Sequence, residues 1–386
     1  MDNNTIPPLV ARFELHSLAA TFAQLTDQRA RRGLRYPLAP LLVLLVLAKL
    51  AGCDTPRAIA EWVALRADHW RQSLGLDWKR MPYHSTYRRL LQRGLDLAQL
   101  EQQAGQFLAR LGRADENLCD IDGKTLCGTI PAGQTQGLHL LSVTQAAQNL
   151  VLAQTPVATG ENEISAAPRL LKQVELRDKI IRGDAMLAQK KLSRQIVKAG
   201  GDYLWLVKDN HPTLREQLTA HFAPEQVAQG AADYATAQTL DKGHGRVEQR
   251  TLTASSQPAN TLDWPYLGQV FQLERQVYIC HSQQERGVTV YGITSLPALE
   301  ASPARLLELT RGHWSIENGL HYRRDVTLHE DACRMQSHRA AEALAVLNNL
   351  TIGLLRHAGW DNIAAARRHC AAHLDEALGL ILRAPS

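Results

Sequence analysis

The 386-residue chain has six cysteines, and none of them forms a C-x-x-C pair. That absence argues against both a zinc framework and a disulfide scaffold. Cys53, Cys119, Cys127, Cys280, Cys333 and Cys370 instead fit reduced thiols in a cytosolic protein. No apolar run reaches the roughly 20 residues needed to cross a bilayer. The strongest, Leu38 to Leu50, contains Lys49. It follows arginines, as a signal-peptide core would, but it starts too far from Met1 and lacks a small-residue cleavage site. A buried helix in a cytoplasmic protein with no membrane partner is the expectation. There is no internal repeat and no low-complexity tract. With 45% hydrophobic and 21% charged residues, disordered and collagenous chains are excluded. At about 100 to 200 residues per domain, the length suggests two or three domains.

The charge is small overall, +5, but unevenly placed. Up to Arg113 there are 16 Lys and Arg against 9 Asp and Glu, a balance of +7 that leaves −2 for the remainder. A basic front attracts a polyanion, while the slightly acidic back holds carboxylates for another purpose. The front opens with RARRGLR, which carries Arg29, Arg31, Arg32 and Arg35, and no acid follows until Asp54. Thr55-Pro56 has the form of a helix start, with a capping Thr and a Pro at the first helical position. A further helix from Ser85 places Arg88, Arg89 and Arg93 near one another on its surface. Helices on short turns with basic residues on the last resemble a helix-turn-helix, although a solvated basic face on a helical bundle accounts for them equally well.

Beyond Gly112 the pattern becomes extended. NLCDIDGKTL reads as a strand ending in the turn Gly123-Lys124, LHLLSVTQAAQNLVLAQTPVA as a hairpin around Ala146 to Asn149, and KIIRGDAM as a further strand. AMLAQKKLSRQIVKAG is then a helix stopped by Gly200-Gly201, and YLWLVK another strand, so this region is a βαβ unit in a partly parallel sheet. From about Ala223 to Pro297 the composition favours β structure. Helices return at Ser302-Pro303, and ALAVLNNLTIGLLRHAG has the period of a buried helix.

Asp122 and Asp184 each follow an apolar strand, 62 residues apart. Strand carboxyl ends gather at one edge of a parallel sheet, which would bring the two acids together. Side by side they repel unless a hard divalent cation such as Mg²⁺ neutralises them. The plainer alternative is that each Asp caps a turn. A third acid lies in RGHWSIENGLHYRRDV, where His313, Glu317, His321 and Arg324 share one face of an α-helix by their spacing. A solvated surface is the ordinary reading of such a mixed face. Zinc is disfavoured, because H-E-x-x-H is absent.

At these residues the chain resembles the DDE transposases of bacterial insertion sequences, specifically the ISAs-type group that includes the H-repeat-associated proteins. The matching segments are IDGKTLCG (Ile121 to Gly128), NEISAAPRLL, GDAMLAQK (Gly183 to Lys190), YLWLVKDNHPTL, DKGHGRVEQR and RGHWSIENGLHYRRDVTLHEDACRM (Arg311 to Met335). RRGLRYPLAPLLVLLVLAKLAGCDTPRAIAEW resembles the N-terminal domain associated with that group. The resemblance covers nearly the whole chain in the expected order. It implies an α/β fold: an all-α N-terminal DNA-binding or associated domain over residues 1–113, then a ribonuclease H-like catalytic domain over 114–386 with a β-rich insertion at about 223–300.

The resemblance also implies a catalytic, metal-binding triad of Asp122, Asp184 and Glu317 with two Mg²⁺ ions, Mn²⁺ being a substitute. The family's signature helix carries Tyr, Arg, Glu and Lys; its positions here hold Thr310, His313, Glu317 and Arg324. Candidate DNA contacts are Arg31, Arg32, Arg35, Arg88, Arg89 and Arg93 in the basic front. After the strands come Lys124, Lys190 and Lys208, in the glycine-rich GHGR His244 and Arg246, and around the third acid His313, His321 and Arg324. Surface solvation accounts for the three lysines equally, and a β-turn for GHGR. The implied partners are double-stranded DNA, as terminal inverted repeats and target, and a second copy of the chain when DNA is bound. The implied activity is metal-dependent strand cleavage and strand transfer. A domesticated DNA-binding protein or nuclease without mobility is the alternative.

Overall fold

The computed structural model describes residues 13–30, 34–113, 117–228, 233–243, 245–311, 317–333 and 337–385. The side chains of 259, 260, 317 and 318 lie outside that description.

The N-terminal region is helical: α1 (Leu18–Ala23), α2 (Leu38–Leu50), α3 (Pro56–Leu65), α4 (Ala67–Leu74), α5 (His84–Arg89) and α6 (Leu97–Leu111). Strands β1 (Leu118–Leu126), β2 (Leu138–Gln145) and β3 (Leu150–Val157) follow, then α7 (Glu163–Leu171), β4 (Ile180–Gly183), α8 (Lys190–Lys198) and β5 (Asp202–Val207). After α9 (Pro212–His221) and α10 (Pro224–Ala228) come β6 (Ala235–Gly243), β7 (Arg246–Ser255), β8 (Gln269–Ile279) and β9 (Gln284–Thr294). The chain closes with α11 (Pro303–Arg311), α12 (His338–His357), α13 (Ile363–Ala372) and α14 (Leu374–Leu382). Among the described residues no helix is long and apolar enough to cross a membrane.

The fold is mixed α/β and divides into two compact units: Met1–Glu116, Gly123–Thr159 and Glu317–Ser386 form one, Asn117–Asp122 and Gly160–Ile316 the other. In the first unit α2 is apolar on every side, and every residue of it except Ala39 is buried. That is the signature of a core helix rather than a surface one. Its charged residue, Lys49, meets Asp54 at 3.2 Å, and Asp54 also accepts from Arg367 at 2.7 Å, so the buried ammonium is paired. α3 begins as its residues dictate, with Thr55 Oγ1 accepting from the Ala58 N–H and Pro56 at the first position. α5 starts at His84 and relaxes into a π-helical turn, Leu90–Gly94. β2 and β3 form the expected hairpin, with Asn149 left-handed at φ 56° in its turn, a conformation Asn tolerates. α6 lies against β3 at Gly105, where a Cβ would stand 2.1 Å from the Leu152 carbonyl oxygen.

In the second unit the strand order is β1-β4-β5-β9-β8-β7-β6. β1, β4 and β5 are parallel neighbours, β4 and β5 being joined through α8 as the expected βαβ crossover. β9 pairs antiparallel with β5, and β6 to β9 form an antiparallel meander across the β-rich region. Its core includes Ile180, Leu204, Leu252, Phe271, Leu306 and Leu309. A buried Asp120–Arg182 pair joins β1 to β4, with Arg182 Nη2 2.8 Å from Asp120 Oδ2, and Arg182 Nη1 also donates to the Leu309 carbonyl in α11.

β1 corrects one expectation. Gly123-Lys124 does not end the strand, which runs on to Leu126. The second half remains a strand because β2 is its neighbour in the ladder and Leu126 packs with Leu138, Leu140, Ala341 and Ala345. Asp122 is therefore a mid-strand residue, and the boundary between the two units falls just after it.

Candidate active site

The parallel register brings the two aspartates together. Ile121 is the partner of Gly183 across β1 and β4, so Asp122, within β1, and Asp184, the residue after β4, each take the next step along the chain. Neighbouring strands lie about 4.8 Å apart. Asp122 is half-buried and Asp184 exposed. Gly183 permits this approach: a Cβ there would meet Leu187 Cδ1 at 2.9 Å and the Ile121 carbonyl oxygen at 3.3 Å.

Asp184 also caps a turn, as its plainer reading had it. Its Oδ1 accepts from the Ala185 N–H at 2.7 Å and opens the 3₁₀ turn Ala185–Leu187 ahead of α8. The same oxygen lies 3.3 Å from Lys208 Nζ, at the end of β5. A residue beside an acid pair that can serve as a cap is not thereby excluded from holding a cation, because a carboxylate has several lone-pair sites.

Two neighbours that sequence reading passed over hold this turn in place. Asn210 Nδ2 donates to the Ala185 carbonyl at 2.7 Å, and the His211 ring meets the Ala188 carbonyl at 2.5 Å. Both lie in the DNHP run after β5, and their signal was a cluster of polar side chains just beyond a parallel strand. Lys190 is half-exposed and paired with Asp263 at 2.7 Å.

The third acid, Glu317, belongs to the first unit and opens a π-helical segment, Glu317–His321, followed by another, Arg323–Thr327. Its carboxylate, and the whole of His313, lie outside the described residues. Over residues 317–327 the π turns depart from the expected α-helix, being wider than its 3.6-residue period. Arg324 is 1% exposed, and its Nε is 2.8 Å from Glu330 Oε2. It is the partner of Glu330 in a buried ion pair. His321 is held neutral: burial, then the charges of Arg324 and Lys124, bring its pKa down to about 3. Thr310 Oγ1 donates back to the Leu307 carbonyl within α11.

Lys124 likewise departs from the expected solvent-facing lysine. It is 8% exposed, and its ammonium straddles the Asp325 carboxylate at 2.6 and 2.7 Å, with Asp331 at 3.9 Å. Asp331 in turn accepts from the Cys127 N–H at 3.1 Å. Nothing local marks these acids, because their partner is about 200 residues away along the chain.

Among the basic candidates, Arg35, Arg88, Arg89, Arg93 and Arg246 are exposed. Arg31, Arg32 and His244 lie outside the described residues.

The fold is thus a mixed α/β one, with Asp122 inside β1 and Asp184 just past its parallel neighbour β4. The chain belongs to the transposase DDE domain family, whose model matches residues 113–354, while residues 19–108 match a model described as DDE_Tnp_1-associated. It is similar to the H repeat-associated putative transposase YhhI of Escherichia coli K12, at 27% identity over 350 residues covering 89% of this chain and 91% of that protein. Putative protein YbfL of the same organism matches with the same identity and coverage. A piggyBac transposase synaptic complex with hairpin DNA overlaps 97% of this chain and 78% of that one, at a TM-score of 0.44 and 10% identity, too loosely to bear on the reading.

Proposed function

We propose that this transposase binds the ends of an insertion sequence and catalyses metal-dependent strand cleavage and strand transfer, as a polynucleotidyl transferase with endonuclease activity. The observation that supports this most is the β1–β4 register, in which Ile121 pairs with Gly183 and an aspartate follows each. Two adjacent carboxylates offer hard oxygen donors and repel one another, so they fit a divalent cation. The Lys208 ammonium near Asp184 is already one positive charge at that place. Asp122, Asp184 and Glu317 are the proposed holders of two Mg²⁺ ions, with Mn²⁺ as a substitute. Ions so held supply charge neutralisation at the phosphodiester and stabilise the departing 3′ oxygen.

The chain's own residues bind and orient the DNA. Arg35, Arg88, Arg89 and Arg93 in the helical front, with Arg246 on β7, are exposed and suited to phosphate. Lys208 is placed to move from Asp184 to a phosphate oxygen once a cation takes its place. In this reading residues 1–113 form the DNA-binding or associated domain, 114–386 a ribonuclease H-like domain, and 223–300 a β-rich insertion between the second and third acids. The partners are double-stranded DNA, as terminal inverted repeats and target, and a second copy of the chain in the DNA complex, working at the bacterial nucleoid.

The test is a duplex carrying the inverted repeats that flank the gene, incubated with the full chain and Mg²⁺. Cutting at the repeat ends is expected, lost in Asp184→Ala while binding survives. Undiminished cutting by Asp184→Ala would overturn the assignment of the acids, and binding without cutting by the native chain would favour a domesticated DNA-binding role.

A further inference from the structure

Two imidazoles and a carboxylate meet where α13 runs into α14. His369 and His373 are four residues apart, one turn of helix, and their rings stack with centroids 4.1 Å apart at 18°. His369 Nε2 lies 2.7 Å from Glu376 Oε2 in the first turn of α14. His373 uses Nδ1 on the His369 carbonyl oxygen at 3.0 Å, which leaves its Nε2 outside that bond. One ligand atom from each of the three residues lies within 4.8 Å of the other two. We propose that His369, His373 and Glu376 form a binding site for a transition-metal ion of the zinc type, made of residues that take no part in the acidic pair.

The donor set decides which ion. Two imidazole nitrogens with one carboxylate oxygen suit Zn²⁺, and also Ni²⁺ or Cu²⁺, whereas Mg²⁺ prefers oxygen alone. Tetrahedral zinc at about 2.1 Å from nitrogen sets neighbouring ligand atoms about 3.4 Å apart. The three ligand atoms already lie within 4.8 Å of one another, and the His369–Glu376 pair at 2.7 Å must open slightly to reach that spacing. These side chains have room to do so, since His369 is 33% and Glu376 65% exposed. Three protein ligands leave a fourth position for water.

The neighbours support the same donor set. The exposed Glu376 carboxylate already lies against the His369 ring, so carboxylate and imidazole are together without any ion. The Trp360 ring backs His369 at 5.1 Å, limiting its swing. Cys370, next along the chain, is excluded as a ligand because it is buried in the core of the first unit. An ion at the three remaining ligands would tie α13 to α14. Since α14 packs against α1 and α2, that tie opposes unfolding of this part of the core.

The experiment uses the full chain stripped with EDTA. Zn²⁺ is expected to raise the melting temperature by about 2–4 °C and Mg²⁺ to leave that shift unreproduced. Co²⁺ should give visible d–d absorption. Both signals should survive in Asp184→Asn and vanish in His373→Ala, whose metal-free melting temperature and circular dichroism should match the native chain. If His373→Ala misfolds, Glu376→Gln, on an exposed side chain, takes its place and should weaken both signals at least tenfold in the ion concentration needed. No zinc shift and no cobalt absorption in the native chain would overturn the site, as would an unchanged zinc shift in the correctly folded variant.

Discussion

Ile121 and Gly183 are parallel partners across β1 and β4, and the residue after each is an aspartate. One ladder contact thus brings together two acids that lie 62 positions apart in the chain. If Asp122 and Asp184 hold cations jointly, removing either carboxylate disables the unit. Asp122→Asn and Asp184→Asn should each lower the Mg²⁺-dependent cutting rate by about a hundredfold or more, and the double variant should fall little further. Additive losses, measured by single-turnover cutting of a repeat-end duplex, would contradict shared duty.

Gly183→Ala is expected to unfold at lower urea concentration than the native chain. Its new methyl would stand 2.9 Å from Leu187 Cδ1 and 3.3 Å from the Ile121 carbonyl. Overpacking of this kind costs about 1–3 kcal/mol. A urea midpoint equal to the native one would show that the strand pair gives way without strain.

Glu248 on β7 carries a pH prediction. Its carboxyl is brought down to about 2, first by the Arg275 hydrogen bond and then, against the opposing effect of burial, by Arg250. The folded state thus holds this group ionised below the unfolded pKa of about 4.3. The resulting stability is fully present above that value and is lost as pH falls toward about 2. It amounts to about 2–3 kcal/mol. Urea unfolding of Glu248→Gln should show a deficit of that order at pH 7 that narrows steadily between pH 5 and pH 2.

His321 has the same sign for a different reason. Its folded pKa of about 3 lies far below the unfolded value of about 6.5, so between those values the unfolded chain binds the extra proton. Stability therefore falls as pH drops from about 6.5 toward 3, and His321→Gln should flatten that slope. A proton NMR titration would detect the error directly: a His321 ring signal that moves between pH 6 and pH 7 is incompatible with this environment.

Arg88 and Arg89 are exposed on α5, where they are available to phosphate. If both touch DNA, the Arg88→Ala, Arg89→Ala variant should lower the slope of log affinity against log salt by about 2 and weaken binding to all duplexes alike. An unchanged slope in fluorescence titrations at several salt concentrations would place the DNA elsewhere.

Local rules fixed much of this chain before any tertiary contact. Leu38 to Leu50 is apolar all round and could only be a buried helix; Thr55-Pro56 starts α3; the turn at Ala146 to Asn149 closes β2 on β3. The alternation of strand and helix through KIIRGDAM and YLWLVK was enough to read β4 and β5 as parallel neighbours joined through α8, whereas the pairing of β1 with β4, which sets Ile121 against Gly183, came from the tertiary fold. Three-dimensional packing decided the rest. It kept β1 running through Gly123-Lys124, because β2 lies beside it in the ladder. It drew Lys124 onto Asp325 and Arg324 onto Glu330, since a charge removed from water must find a partner wherever the fold offers one. It also widened the turns after Glu317 into π-helical ones, so the α-helical period does not hold there. A sequence specifies its neighbours along the chain; which distant charges meet, and whether a helix keeps its period, depends on what packs against them.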